Sequence, residues 1–193
     1  MEPIEPRPLT RRGVALAWLI VLELIVIWVL AIYSYLTLPQ VVPVHFGWNG
    51  EPTRYGEKIE LLFLAVPLSI APSIFLLITK YRFTLINKYS YLVNLPAFFT
   101  YITKIPKERR SLWVNRYFES LLAFGAAITF FLLLIEYEVY LSALQGRVHP
   151  WLVFVPLTIV GSIIPLIFYL RRLSQEMKLE AEGALSRKIS RAV

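Results

Sequence analysis

The sequence predicts an all-α fold: a polytopic membrane protein, a bundle of about four transmembrane helices with an ordered extracellular loop and an amphipathic C-terminal helix. Three observations carry this. Apolar residues make up 57% and aromatic residues 15% of the 193 positions, leaving too little polar surface for a soluble domain. Four apolar runs reach the ~20 residues that a helix needs to cross a bilayer. Lys and Arg fall unevenly around those runs, as they do where positive charge resists translocation.

The first run, Val14 to Leu36, is too long for a signal-peptide core and no small-x-small cleavage site follows it, so it is read as a retained anchor. Glu23 stands almost midway along it as the isolated ionisable side chain of the membrane segments. Inserting such a group costs on the order of 3 kcal/mol, so it should face the bundle. A proton or cation site and a protonated carboxyl hydrogen-bonded to a neighbouring helix both remain open.

Between the first run and the second, Ile59 to Thr79, lies the polar stretch Leu38 to Lys58, rich in turn residues. Connections of this length and chemistry are sites of function more often than spacers. Pro39 and Pro43 hold the chain extended, and Asn49-Gly50 is a tight-turn dipeptide. Phe46, Trp48 and Tyr55 offer apolar bodies to the bilayer interface, while Glu51 and Glu57 balance Arg54 and Lys58, by pairing within the insert on the simplest reading. His45, Asn49, Glu51, Arg54, Tyr55 and Lys58 are the candidate ligand-binding residues of this outer loop.

Pro67 and Pro72 in the second run, with Pro156 and Pro165 in the fourth, each remove a backbone donor and favour kinks. The connection from Lys80 to Arg116 mixes basic residues with Tyr81, Phe83, Tyr89, Tyr91, Phe98, Phe99 and Tyr101, the composition of a segment lying in the headgroup region. Docking of a cytoplasmic partner, or a re-entrant turn around Asn94, Leu95 and Pro96, are its other readings. The third run spans Tyr117 to Leu141, with Glu136 and Glu138 near its end, and the fourth spans Pro150 to Leu170. Beyond it Leu173, Met177, Ala181, Leu185 and Ile189 recur at four-residue intervals, close to one stripe of a helix.

Seventeen of the 20 Lys and Arg lie in the N-terminal tail, the middle connection and the C-terminal tail, leaving Arg54, Lys58 and Arg147. Both termini are therefore expected in the cytoplasm and the insert outside the cell membrane. The net charge of +7 reflects this topology and attraction to anionic headgroups, without nucleic acid.

The chain has no cysteine and no aspartate, which removes thiolate chemistry and aspartate-bound magnesium. No HExxH, GxSxG, Walker or GxGxxG pattern is present, so no enzyme activity and no cofactor are expected. Two His with a carboxylate match the donors of a zinc or copper site. His45, His149, Glu136 and Glu138 share one side of the membrane, but topology alone does not bring them together, and no metal is assigned.

The insert carries Leu38, Pro39, Val42, Pro43, His45, Phe46, Gly50, Glu51, Pro52, Tyr55, Gly56 and Lys58 on the pattern LPxxVPxHF followed by GEP and YG ahead of a lysine. With its two flanking helices it resembles the membrane module of unknown function found in SdpI-like immunity proteins. The resemblance covers roughly residues 14 to 79, and the second half departs from it, with no counterpart of the C-terminal signature. It divides the chain into an SdpI-like module, 1–79, with the outer loop at 37–58, and a second helical pair with its connection and tail, 80–193, in one folded unit. It implies an immunity or signalling protein that senses or neutralises an extracellular peptide and recruits a cytoplasmic regulator. A small-solute or proton transporter using Glu23, and a structural subunit that assembles with the bilayer and with further copies of itself, are the alternatives.

Overall fold

The computed structural model describes residues 2–93, 95–149 and 154–190. The chain runs through α1 (Arg11–Thr37), β1 (Val41–Phe46), β2 (Pro52–Glu57), α2 (Ile59–Lys80), α3 (Arg82–Lys88), α4 (Pro96–Ile102), α5 (Lys107–Gln145) and α6 (Val155–Ser190), with a 3₁₀ turn at Ser90–Leu92. The helices α1, α2, α5 and α6 are long and apolar enough to cross a membrane, so the chain is a multi-pass membrane protein, and among the described residues the one sheet is a two-stranded ribbon. Pro150, the expected start of the fourth span, and Asn94, in the considered re-entrant turn, lie outside the described residues.

Local chemistry sets the boundaries. Thr10 caps α1, its hydroxyl accepting from Gly13 N at 3.3 Å. Leu38 is extended, at φ −77° and ψ 154°, because the residue before a proline is driven from the helical region. Pro96 occupies the first turn of α4, where its missing N–H costs nothing. Pro106 precedes α5, and Gly146 at φ 70° closes it in the left-handed conformation that favours glycine. The third helix thus begins ten residues before the expected span, since nothing between Lys107 and Tyr117 interrupts it.

The centre of the bundle is α5, which packs against α1, α2 and α6, while α1 also packs on α2. The intramembrane clusters are small: Ile20 with Leu122 and Ala126, then Ile27, Ala31, Ala65 and Leu68. Lipid tails are as apolar as these side chains, so close approach of small residues does the packing there.

The largest buried cluster lies instead at the end that carries both termini. It joins Ile4 of the N-terminal tail, Phe83 of α3, Phe98 of α4, Trp113 and Phe118 of α5, and Leu173 and Met177 of α6. The middle connection therefore does more than rest on a headgroup layer. Phe83 and Phe98 turn inward, and only part of its aromatic set, including Tyr89 and Tyr91, stays exposed. The amphipathic tail explains this. Leu173, Met177 and Ala181 of its stripe are fully buried against that cluster, whereas Leu185 is exposed; the side chain of Ile189 is outside the described set.

Ion pairs bracket the docked tail. Arg109 holds Glu180 through two bonds, of 2.5 and 2.9 Å, and Arg116 and Arg172 share Glu176 at 2.6 and 2.9 Å. Hydrogen bonds from Arg172 and then Arg116 hold the Glu176 carboxyl below its ordinary value. A depressed folded value gives a clamp that is complete above the unfolded carboxylate range and lost as pH falls through the folded one. Hydrogen exchange over residues 172–185, corrected for intrinsic rates, is expected to stay flat from about pH 5 to 8 and to rise below about pH 4. A rise within the neutral range would assign the clamp to other groups.

Candidate functional site

The insert folds as a β-hairpin rather than an irregular loop. β1 and β2 pair antiparallel, with Val41 opposite Glu57, Val42 opposite Gly56, Pro43 opposite Tyr55, His45 opposite Arg54 and Phe46 opposite Pro52, and the register is irregular on both sides of His45. At the tip, Gly47 N donates to Glu51 O and Gly50 N to Gly47 O, each at 2.9 Å. Gly50 has φ 78°, so the Asn49-Gly50 pair turns the chain as its chemistry favours. Asn49 Nδ2 donates to the Glu51 carboxylate at 2.7 Å, and Asn49 Oδ1 accepts from Glu51 N at 3.2 Å.

Several ties fix the hairpin to the bundle. Val42 is buried with Leu38, Leu61 and Ala143. The carbonyl of Gly50 accepts from Val148 N at 3.0 Å, which joins the tip to the segment after α5. Lys58 N donates to Gln40 O at 3.1 Å, and Lys58 Nζ donates to Leu38 O at 3.2 Å while lying 5.1 Å from the centre of the Tyr35 ring.

The insert's charges do not neutralise one another. Arg54 pairs with Glu60 of α2 at 3.0 Å, and Lys58 is consumed by a carbonyl and a ring. Arg54 and Lys58 therefore shape the hairpin's base. His45, whose Nδ1 meets the Thr53 hydroxyl, stays exposed with Asn49, Glu51 and Tyr55. Trp48, at the tip, is completely exposed.

Of the four potential metal ligands, the structure links Glu138 and His149. Glu138 Oε1 accepts from His149 N at 2.8 Å and from Ser142 Oγ at 3.1 Å, tying down the chain beyond α5. Among the described residues no three His or Glu side chains gather closely enough to hold a metal ion.

Glu23 is buried on the face of α1 that carries Ile20, Ile27 and Ala31. Glu136 is buried on α5, and each of these carboxylates keeps one enclosed oxygen without a hydrogen-bond partner among the described residues. Glu23 is not isolated in kind. Glu119 also falls inside the expected third span, and it is buried where it accepts from Thr10 N and from the Thr10 hydroxyl, both at 2.8 Å.

Around Glu119 runs a buried polar network that reading of the sequence missed. Arg82 donates to Asn115 Oδ1 at 2.7 Å, to Thr79 O at 2.9 Å and to Arg7 O at 2.6 Å. Asn115 Nδ2 donates to Pro8 O at 2.6 Å, and Asn87 exchanges two 2.9 Å bonds with the backbone of Ile4. Burial pulls the Arg82 guanidinium below its ordinary value, with the Glu119 carboxylate opposing. The available signal was Asn115 and Glu119 one helical turn apart at the start of the third apolar run.

Residues 22–69 match a domain of unknown function, DUF1648. Over 179 residues, 92% of this chain and 97% of the relative, the sequence is 44% identical to an uncharacterized protein of Archaeoglobus fulgidus. The chain belongs to the family of that archaeal protein. No solved structure matches it. The DUF1648 match runs from Leu22 in α1 to Ser69 in α2 and so encloses the whole hairpin. The family likeness extends well beyond that match, into the second half of the chain.

Proposed function

We propose that this is a non-catalytic protein of the cell membrane, with both termini cytoplasmic, that recognises an extracellular peptide through the hairpin, as its resemblance to SdpI-like immunity proteins implies. One observation carries the reading: a hairpin held to the bundle at base and tip leaves Trp48 fully exposed, beside the exposed His45, Asn49 and Glu51. A large exposed aromatic on a fixed support is the usual centre of a recognition surface, since little conformational entropy is lost on binding. The cap built from α3, α4 and the tail of α6 is where a cytoplasmic regulator would dock.

The test uses dye-loaded vesicles carrying the protein, challenged with a membrane-disrupting amphipathic peptide. The protein is expected to slow dye release, and Trp48→Ala to weaken that protection about 30-fold, the scale of a hot-spot truncation of ~2 kcal/mol. Glu51→Gln should weaken it less, while Lys58→Ala should loosen the hairpin and lower the unfolding temperature. Protection by Trp48→Ala equal to that of the unmodified protein would move recognition away from the hairpin.

A second reading rests on the enclosed carboxylate oxygens of Glu23 and Glu136 that have no partner among the described residues, which suit an intramembrane proton or cation relay. It expects a pH-gradient-driven flux in vesicles that Glu23→Gln abolishes. Flux surviving in that variant removes Glu23 as the carrier.

A further inference from the structure

Near the termini end, α1, α5 and α6 line a half-open cavity of about 340 Å³, within the range of small-ligand pockets. Its walls are largely apolar, formed by Phe124 of α5 and by Pro165, Leu166 and Tyr169 of α6. Arg12, from the first turn of α1, also lines it, with its guanidinium 5.7 Å from the centre of the Tyr169 ring.

Two features define what fits. Arg12 is exposed and forms no ion pair among the described residues, so a positive charge at the cavity lacks an anion. The wall hydroxyls, Ser120 and Ser162, donate to Tyr117 O and Ile159 O of their own helices at 2.6 and 2.8 Å. The interior therefore asks for hydrocarbon, and its rim asks for negative charge.

The setting matches. Arg11 and Arg171 are exposed at the same end, and the membrane-spanning part of α6 presents Ile163, Ile167 and Phe168 outward. Basic pockets between transmembrane helices favour anionic headgroups.

We propose that this cavity binds an anionic phospholipid, its phosphate on Arg12 and an acyl chain laid against Phe124 and Leu166. The lipid fills the space between α1 and α6 and ties the two helices together. This site is separate from the hairpin and does not depend on its role.

The experiment measures lipid retention by native mass spectrometry and the unfolding temperature of the whole protein in detergent. Dioleoylphosphatidylglycerol is titrated, with dioleoylphosphatidylcholine and sodium phosphate as parallel arms. Phosphatidylglycerol is expected to be retained and to raise the unfolding temperature, phosphatidylcholine to do so weakly, and phosphate to do nothing. Arg12→Gln should weaken phosphatidylglycerol binding about fivefold, the factor equivalent to ~1 kcal/mol per basic residue beside an anionic surface. Ser162→Phe, which fills the slot, should remove the bound lipid, and Arg147→Gln at the opposite end should change nothing. Unaltered lipid binding by Arg12→Gln overturns the proposal, as does equal stabilisation by phosphate or phosphatidylcholine. Arg12 is an exposed side chain, so that variant decides the matter even where Ser162→Phe fails to fold.

Discussion

Replacing Arg82 with methionine is expected to cost about 3–5 kcal/mol, the range for removing one partner from a buried charged network. The substitution keeps a long side chain but strips Asn115 Oδ1, Thr79 O and Arg7 O of a donor at once. In a chain of this length, each kcal/mol moves the unfolding temperature by roughly 2–4 °C, so a fall of about 6–20 °C is expected by tryptophan fluorescence in detergent. Arg82→Lys should recover only a minor part, because a single ammonium cannot reproduce the guanidinium's fork of donors. Hydrogen exchange separates the cause: residues 4–10 should lose protection in both variants before the bundle does. Unchanged protection there would mean that the N-terminal tail is held without Arg82, through its bonds to Asn87, Asn115 and Glu119.

Gly125→Val is expected to destabilise by about 1–3 kcal/mol through overpacking. A Cβ on Gly125 would stand 2.7 Å from Phe75 Cγ and 2.9 Å from Phe75 Cβ. The ring has little freedom to withdraw, since it also meets Phe124 edge to face at 5.9 Å. Combining Gly125→Val with Phe75→Ala should restore part of the loss, giving a coupling of about 1 kcal/mol in a double-mutant cycle. Additive losses would show that α2 and α5 are not seated through this pair.

What could be read from the sequence was whatever depends on neighbours in the chain. Pro39 marks the extended chain after the first helix by backbone chemistry alone, and Asn49-Gly50 marks its turn in the same way. The hairpin itself was within reach, because a proline-held extended segment ahead of a turn dipeptide is the pattern of a paired strand. Partners across the fold were not. Arg82 entered the charge count as one more topological cation, although it is buried and spends its donors on three other segments. Glu119 was hidden because α5 crosses from the cap into the spanning region without a break that would set that carboxylate apart. Lys58 and Arg54 looked like mates for Glu51 and Glu57, yet a carbonyl, an aromatic ring and Glu60 claim them.

Reading also stopped short at the candidate site. His45, Asn49, Glu51 and Tyr55 emerge exposed, and Trp48 stands fully exposed beside them on the turn; composition shows its apolar body but not its place at the tip of a hairpin. The alternation of the C-terminal stripe was legible as amphipathic. Its partner was not, because the face that receives Leu173 and Met177 is assembled from α3, α4 and the start of α5.

The unbroken α5 gives the molecule mechanical gearing. Its 39 residues make a rod of ~58 Å, about twice the hydrocarbon thickness. One end meets β1 and leads into the segment bonded to the hairpin tip, and the other is clamped through Trp113, Arg116 and Glu119. A rock of about 5° around its midpoint carries the two ends ~2.5 Å in opposite directions. A load on the hairpin thus arrives at the far cap as displacement, with no hinge along the rod to absorb it.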